Sequence, residues 1–205
     1  MIVHIWKNNL EFPFDQNPLI TLKNWLKIAE ENEVINSNAA ALATVSPESM
    51  PEVRMVLIKE INNDGLVFYT NLLSQKAKSI ESNPLASLCF YWKSISKQVR
   101  IEGTIKSINN RIADEYFASR SRDSQIAAWA SQQSKELFSR EHLDVIVEKI
   151  DKEFSGKLVS RPPFWSGYIL DPRKIEFWIE GKSRLHDRIE FTKNKFNWKF
   201  RFLYP

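Results

Sequence analysis

The pentapeptide Arg184-Leu185-His186-Asp187-Arg188 carries two guanidinium groups and an imidazole at alternate positions. Alternate residues of a strand share a face, so Arg184, His186 and Arg188 are predicted to point together and to need an anionic partner. The same pattern also suits a basic strand edge that discourages edge pairing. Upstream, Tyr116, Arg120 and Ser124 fall at i, i+4 and i+8, a spacing that one helix stacks on a single face. A phenol, a guanidinium and a hydroxyl are donors suited to a phosphate, which Arg can hold bidentately. A polar outer face, with Ser121 or Asp123 capping the next helix, fits that spacing equally well.

Smaller groups surround these. Arg54 and Lys59 are five residues apart in a strand-like run, which sends them to opposite faces, for different ligands or for solvent. Ser74-Gln75-Lys76 opens a helix after Tyr69-Thr70, and a hydroxyl and a cation at a helix N-terminus favour an anion. Ser74 as an N-cap accounts for most of that pattern without a ligand. Gln98, and Gln133 with Ser134, add amides and a hydroxyl that can serve a ligand or their own surroundings.

Other chemistries are excluded. His186 is joined only by His4 and His142, and no Cys or carboxylate cluster has metal-ligand spacing, so no metal is expected. No Gly-x-Ser-x-Gly nucleophile motif occurs. The excess of 29 Lys and Arg over 25 Asp and Glu is spread along the chain, which describes a solvated surface with basic sites and not a nucleic-acid tail. Cys89 is the single cysteine, inside the apolar run Leu85 to Trp92, and is expected to pack as a small hydrophobe in a reducing cytoplasm. No signal peptide or membrane-spanning run is read, so a soluble, unprocessed chain is expected.

The elements that must position these groups are legible from periodicity. Asn17-Pro18 reads as an N-cap and first helical residue, with Leu22, Trp25, Leu26 and Ala29 forming an apolar face to about Asn32. Strands are predicted at 39–45, 52–60 and 66–70 as an antiparallel meander, then a helix over 74–82 and strands at 85–92 and 97–108. Helices follow at 110–120, 124–130 and 140–154, and strands return at 166–170, 174–179, 185–192 and 198–203. The expected fold is α+β, an antiparallel β-barrel with surrounding helices. Residues 1–16 form an N-terminal segment with little pattern, and 17–205 a single domain.

In order along nearly the whole chain, these motifs resemble the pyridoxamine 5′-phosphate oxidase family. The matching stretches are Arg54 to Lys59, Phe68-Tyr69-Thr70-Asn71, Gln98-Val99-Arg100, Tyr116-Phe117 with Ser119-Arg120, Asp123-Ser124-Gln125, Gln133-Ser134, Ile175-Glu176-Phe177-Trp178 and Arg184 to Arg188. The resemblance implies an antiparallel split β-barrel with surrounding helices, homodimeric, with FMN at the subunit interface. It assigns the flavin to Arg54, Met55, Val56, Leu57, Ile58, Lys59, Tyr69, Thr70, Gln75, Lys76, Gln98, Gln133, Ser134, Trp178 and Arg188. It implies that Lys59, Tyr116, Arg120 and Ser124 hold the substrate phosphate, while Arg184, Leu185 and His186 approach its ring, Arg184 and His186 as catalytic groups. The implied reaction is oxidation of pyridoxamine or pyridoxine 5′-phosphate by dioxygen, giving pyridoxal 5′-phosphate and hydrogen peroxide.

The chain departs from the family pattern in three places. Gln75 stands where the family usually has Arg, removing a charged donor to the flavin phosphate worth ~1–3 kcal/mol. Ile179 replaces a usual Gln, and the N-terminal segment shows no Arg-x-x-Tyr. Two other readings stay open: a related FMN oxidase acting on a phenazine precursor, and a non-catalytic protein that binds FMN or pyridoxal phosphate.

Overall fold

A computed structural model describes residues 17–33, 35–195 and 197–205; the N-terminal segment 1–16 lies outside the described residues. Helix α1 spans Pro18–Asn32, and the Asn17 side chain accepts from the Leu19 N–H as an N-cap. Strands β1 (Ala39–Val45), β2 (Pro51–Leu57), β3 (Glu60–Ile61) and β4 (Leu66–Asn71) lead to helix α2 (Gln75–Ser82). Strands β5 (Leu85–Trp92) and β6 (Lys97–Ser107) precede α3 (Asn110–Ser119), α4 (Arg122–Ala130) and α5 (Arg140–Glu153). Strands β7 (Trp165–Ile179), β8 (Asp187–Lys193) and β9 (Trp198–Phe202) close the chain.

All of these strands belong to one antiparallel sheet, ordered β2-β1-β5-β6-β7-β4-β3, with β8 and β9 extending from β7. Strands β2 and β3 end that order on opposite sides, yet only Ile58 and Lys59 separate them in sequence. The sheet must therefore curl until its edges meet. The Ile58 N–H donates to Asn38 O at 2.9 Å on one side, and the Lys59 N–H to Val67 O at 2.8 Å on the other. The result is a split barrel.

This topology corrects the expected meander. β1 pairs with β2 and β5, and β4 pairs with β3 and β7, so the early strands form two hairpins on opposite walls. The stretches 166–170 and 174–179 are one strand, which runs through Asp171 and Pro172 with a register shift opposite Glu102 and Gly103. The strand expected from Leu185 starts only at Asp187.

The barrel core buries Leu42, Phe68, Leu88, Phe90, Ile101, Leu170 and Phe177, with α1 laid over it. Trp25 from that helix is 2% exposed and meets the Phe177 ring edge-on at 5.0 Å. A second cluster joins Phe117, Ile126 and Trp165 to the half-buried face of α5, including Val147 and Ile150. It fixes α3, α4 and α5 against the start of β7. Cys89 is half-buried, and burial pushes its thiol up. Trp25→Ala should destabilise the chain by about 3–5 kcal/mol, measured as a lower midpoint in urea with an unchanged slope.

Candidate functional site

A cavity of about 600 Å³ opens where β2, β4, α2, α3 and α4 converge. Met55, Val56 and Leu57 from β2 and Lys59 from the barrel-closing step line it, with Tyr69, Thr70 and Asn71 from β4. Lys76, Tyr116, Arg120, Ser124, Gln133 and Trp165 complete its wall. Three cations face it and no carboxylate lines it. Lys59, Lys76 and Arg120 have no ion pair among the described residues. Like charges gathered without counterions make a site for an anion.

One side of the cavity is aromatic. The Tyr69 ring stacks on Tyr116 at 3.8 Å and on Trp165 at 5.3 Å. The Arg120 guanidinium lies 4.8 Å from the Trp165 ring, and burial pushes Arg120 down. Its Nη1 is buried and has no hydrogen-bond partner. An uncompensated buried donor is costly, so this atom points to a ligand oxygen. Burial also pushes Tyr116 up and Tyr69 up to about 12, so both phenols are O–H donors at neutral pH. Tyr116, Arg120 and Ser124 do meet, though not on one helix. α3 stops at Ser119, Arg120 is extended, and Ser121 caps α4 by accepting from the Ser124 N–H. The sharp junction, and not a helical stripe, brings the three together.

On the opposite side, the Lys76 Nζ donates to Gln133 Oε1 at 3.0 Å, Thr70 Oγ1 at 3.2 Å and Ser74 Oγ at 3.3 Å. Burial, then the nearby charge of Arg54, pushes Lys76 down. Ser74 precedes α2 but makes no side-chain cap, so the capping explanation of Ser74-Gln75-Lys76 is replaced by the bond to Lys76. The Gln75 N–H donates to Ser134 Oγ at 3.2 Å. Arg54, Ile58, Gln75 and Ser134 adjoin the cavity wall in sequence but do not line it. Ile58 is in the barrel core.

The remaining expected residues form a second cluster. Arg184, His186 and Arg188 do not alternate along one strand, because Lys182–Arg184 is a 3-10 turn and Ser183 and Arg184 have left-handed backbones (φ +54° and +65°). Such conformations are unfavourable for residues with a Cβ and concentrate at functional loops. Gly181 is required here, since a Cβ would collide with the Leu185 carbonyl. Its N–H donates to His186 Nδ1 at 3.2 Å, and the His186 ring sits 4.6 Å from that of Trp178. Since Nδ1 accepts, the neutral ring carries its proton on Nε2. His186 and Arg188 line a separate recess of about 270 Å³ with exposed Leu185 and the C-terminal Tyr204. Gln98 pairs with Trp178 across β6 and β7.

Glu176, missed by the sequence reading as a functional residue, organises this cluster. Its buried carboxylate accepts from Arg188 Nε at 2.9 Å and from Arg100 on the neighbouring strand. The signal was present: one acidic residue in Ile175-Glu176-Phe177-Trp178, inside a basic neighbourhood. Glu52 was missed likewise, although it shares a strand face with Arg54 two residues on.

An antiparallel split barrel with a cationic, aromatic cavity at its helix junction is the architecture of FMN-binding split-barrel proteins. Residues 27–153 match the family model described as pyridoxamine 5′-phosphate oxidase, and residues 165–205 match the pyridoxine 5′-phosphate oxidase C-terminal dimerisation region. Curated relatives called pyridoxine/pyridoxamine 5′-phosphate oxidase include that of Pelagibacter ubique, 45% identical over 92% of both chains. That of Sphingopyxis alaskensis is 46% identical over 92% of this chain and 88% of its own. Among solved structures, PhzG from Burkholderia lata in complex with tetrahydrophenazine-1-carboxylic acid superposes with a TM-score of 0.88 at 30% identity, covering 95% of each chain. The chain belongs to the pyridoxamine 5′-phosphate oxidase family and is an oxidoreductase with FMN as its cofactor.

The residues present fit that cofactor, since Lys76, Thr70 and Gln133 gather into one anion-binding point in the cavity, and the orphaned Arg120 Nη1 leaves a second point for another anion. Among the described residues, no helix is long and apolar enough to cross a membrane and no metal-ligand group occurs. Burial pushes the Glu176 carboxyl up, but hydrogen bonds and charge from Arg188 and Arg100 outweigh it and hold it below its ordinary 4.5. Its contribution to stability is then complete above about pH 4.5 and lost as pH falls through its own lower value. Glu176→Gln should lower the melting temperature at neutral pH and converge on wild type as the pH falls below 4.5, read from melts across that range.

Proposed function

We propose that this chain oxidises pyridoxamine or pyridoxine 5′-phosphate to pyridoxal 5′-phosphate, using dioxygen and releasing hydrogen peroxide, with water consumed and ammonia released when the substrate is the amine. The carrying observation is that Lys59, Tyr116, Arg120 and Ser124 line one cavity that no carboxylate lines, with Arg120 Nη1 buried and unpartnered. That quartet suits a phosphorylated substrate and disfavours a phenazine precursor. FMN, when bound, accepts a hydride from C4′ of the substrate and is reoxidised by dioxygen.

Lys76, Thr70, Gln133 and Ser134 hold the flavin in this reading, with Gln75, Arg54 and the β2 segment Met55 to Lys59 beside them, and with Tyr69. The Tyr116 and Ser124 hydroxyls donate to the substrate phosphate while Arg120 and Lys59 neutralise it. Arg184 orients the ring, and His186 donates from Nε2 to a substrate oxygen or nitrogen. Fixing the substrate at both ends aligns the transferring hydrogen without a covalent enzyme intermediate.

The second cluster must reach the cavity from another copy of the chain. Trp165 and Trp178 both belong to β7 and are thirteen positions apart, about 40 Å along an extended strand. One chain therefore holds both halves of a site without joining them. A homodimer joins them twice, with Gln98, Trp178, Arg184, Leu185, His186 and Arg188 of one chain facing the cavity of its partner. The edge strand β2, where Val53 is 70% and Met55 62% exposed, offers apolar surface for that contact. In this reading residues 17–205 act as one unit, and the single half-buried thiol of Cys89 suits the cytoplasm.

The purified protein should be yellow and should convert pyridoxamine or pyridoxine 5′-phosphate aerobically to the aldehyde with one peroxide per turnover; flavin-loaded protein without turnover would refute the proposal. Arg120→Ala should raise KM at least tenfold and leave bound flavin unchanged. Arg184→Ala should lower kcat with flavin retained, whereas Lys76→Ala should lose flavin, as read from absorbance after desalting.

A further inference from the structure

Arg54 is assigned to the flavin by family resemblance, yet the cavity is lined by Met55, Val56 and Leu57 and not by Arg54. Every donor bond recorded for its guanidinium goes to the protein. Nη2 donates to Glu52 Oε2 at 3.0 Å, and Nη1 donates to Thr44 Oγ1 at 2.6 Å and to the carbonyls of Leu42 and Glu52 at 3.2 and 3.3 Å. Glu52 is itself gripped, because Ser79 Oγ donates to the same Oε2 at 2.8 Å; Ser79 first, then Gln75 and Arg54, hold its carboxyl below the ordinary value. Gln75, at the first position of α2, is the other residue that resemblance brings to the flavin phosphate and that does not line the cavity.

The Glu52 carboxylate thus holds Arg54 and is itself held from α2 by Ser79. It sits where β2 meets α2, near Lys76, which lines the cavity and lies within the field of Arg54. Resting on the assignment of FMN to this cavity, we infer that Glu52 is an internal competitor for the flavin phosphate, holding Arg54 on the protein and setting a weak flavin affinity. The phosphate of an arriving flavin meets Lys76 first and gains Arg54 only as Glu52 gives it up. Binding therefore includes the exchange of one charge-assisted pair for another, and the negative Glu52 repels the dianion throughout. Gln75 in place of the family's usual Arg leaves a neutral side chain at the first position of α2, which does not offset that repulsion.

The test is a titration of flavin-free protein with FMN and, separately, with riboflavin, which lacks the phosphate, followed by quenching of flavin fluorescence. Glu52→Gln keeps the shape of the side chain and an acceptor for Ser79 but removes the charge. Its Kd for FMN should fall on the order of tenfold while its Kd for riboflavin stays at the wild-type value. Ser79→Ala, which loosens Glu52 without neutralising it, should shift FMN in the same direction by less, and guards against a folding defect in Glu52→Gln. An FMN affinity that is unchanged or weaker in both variants overturns the inference, as does an equal gain for FMN and riboflavin. Failure of wild type and both variants to take up FMN at all overturns the flavin assignment, and the inference with it.

Discussion

Two residues hold the barrel closed. Ile58 and Lys59 bridge the strands that end opposite sides of the sheet order, and the sheet has no choice but to curl until those ends meet. The closure sends Ile58 into the core, 2% exposed, and turns Lys59 to the cavity. Backbone hydrogen bonds to two different walls fix the point from which this exposed lysine reaches the cavity. The other cavity residues come from the strands and helices on either side of that point.

The cations around the cavity repel one another, and the fold tolerates this by spacing them on independent supports. Lys59 rides on the barrel seam, Lys76 on α2, and Arg120 on the junction between α3 and α4. Each is braced differently: Lys76 by three oxygen acceptors, Arg120 by the flat face of Trp165. The second cluster is built on the opposite logic. There buried Glu176 takes hydrogen bonds from Arg100 and Arg188 together, so the positive groups are tied down by a shared counterion. A region that awaits an anion and a region already holding one therefore coexist in a single sheet.

Much of this was legible from periodicity and turn chemistry. The Asn17-Pro18 helix start, the helix that became α5 and the α+β class all follow from local rules that tertiary contacts reinforce, while the split barrel came from the family resemblance. What failed shares a cause. Reading Tyr116, Arg120 and Ser124 as one helix, and Arg184, His186 and Arg188 as one strand, assumed that the most regular element runs through the functional residues. In both places the chain breaks regularity there, with an extended Arg120 between two helices and two left-handed residues before β8. Alternation and helical spacing drew attention to these residues through a geometry that the chain does not adopt. The pairing of β4 with β7 was beyond reach, because neither hydrophobic pattern nor turn type says which of several similar strands will be neighbours. Glu52 and Glu176 were overlooked because a search for anion-binding groups passes over carboxylates, although carboxylates decide which of the cations are available.

The length of β7 has a genetic meaning. If its two ends serve different sites, as proposed, a lesion in the cavity and a lesion in the Arg184 to Arg188 segment would damage opposite faces of the same assembly. Two defective copies, one of each kind, would then associate into a mixed pair in which both lesions fall in one site and the other site is whole. Inactive alleles of this gene would complement each other in pairs, according to which end of the strand each one touches.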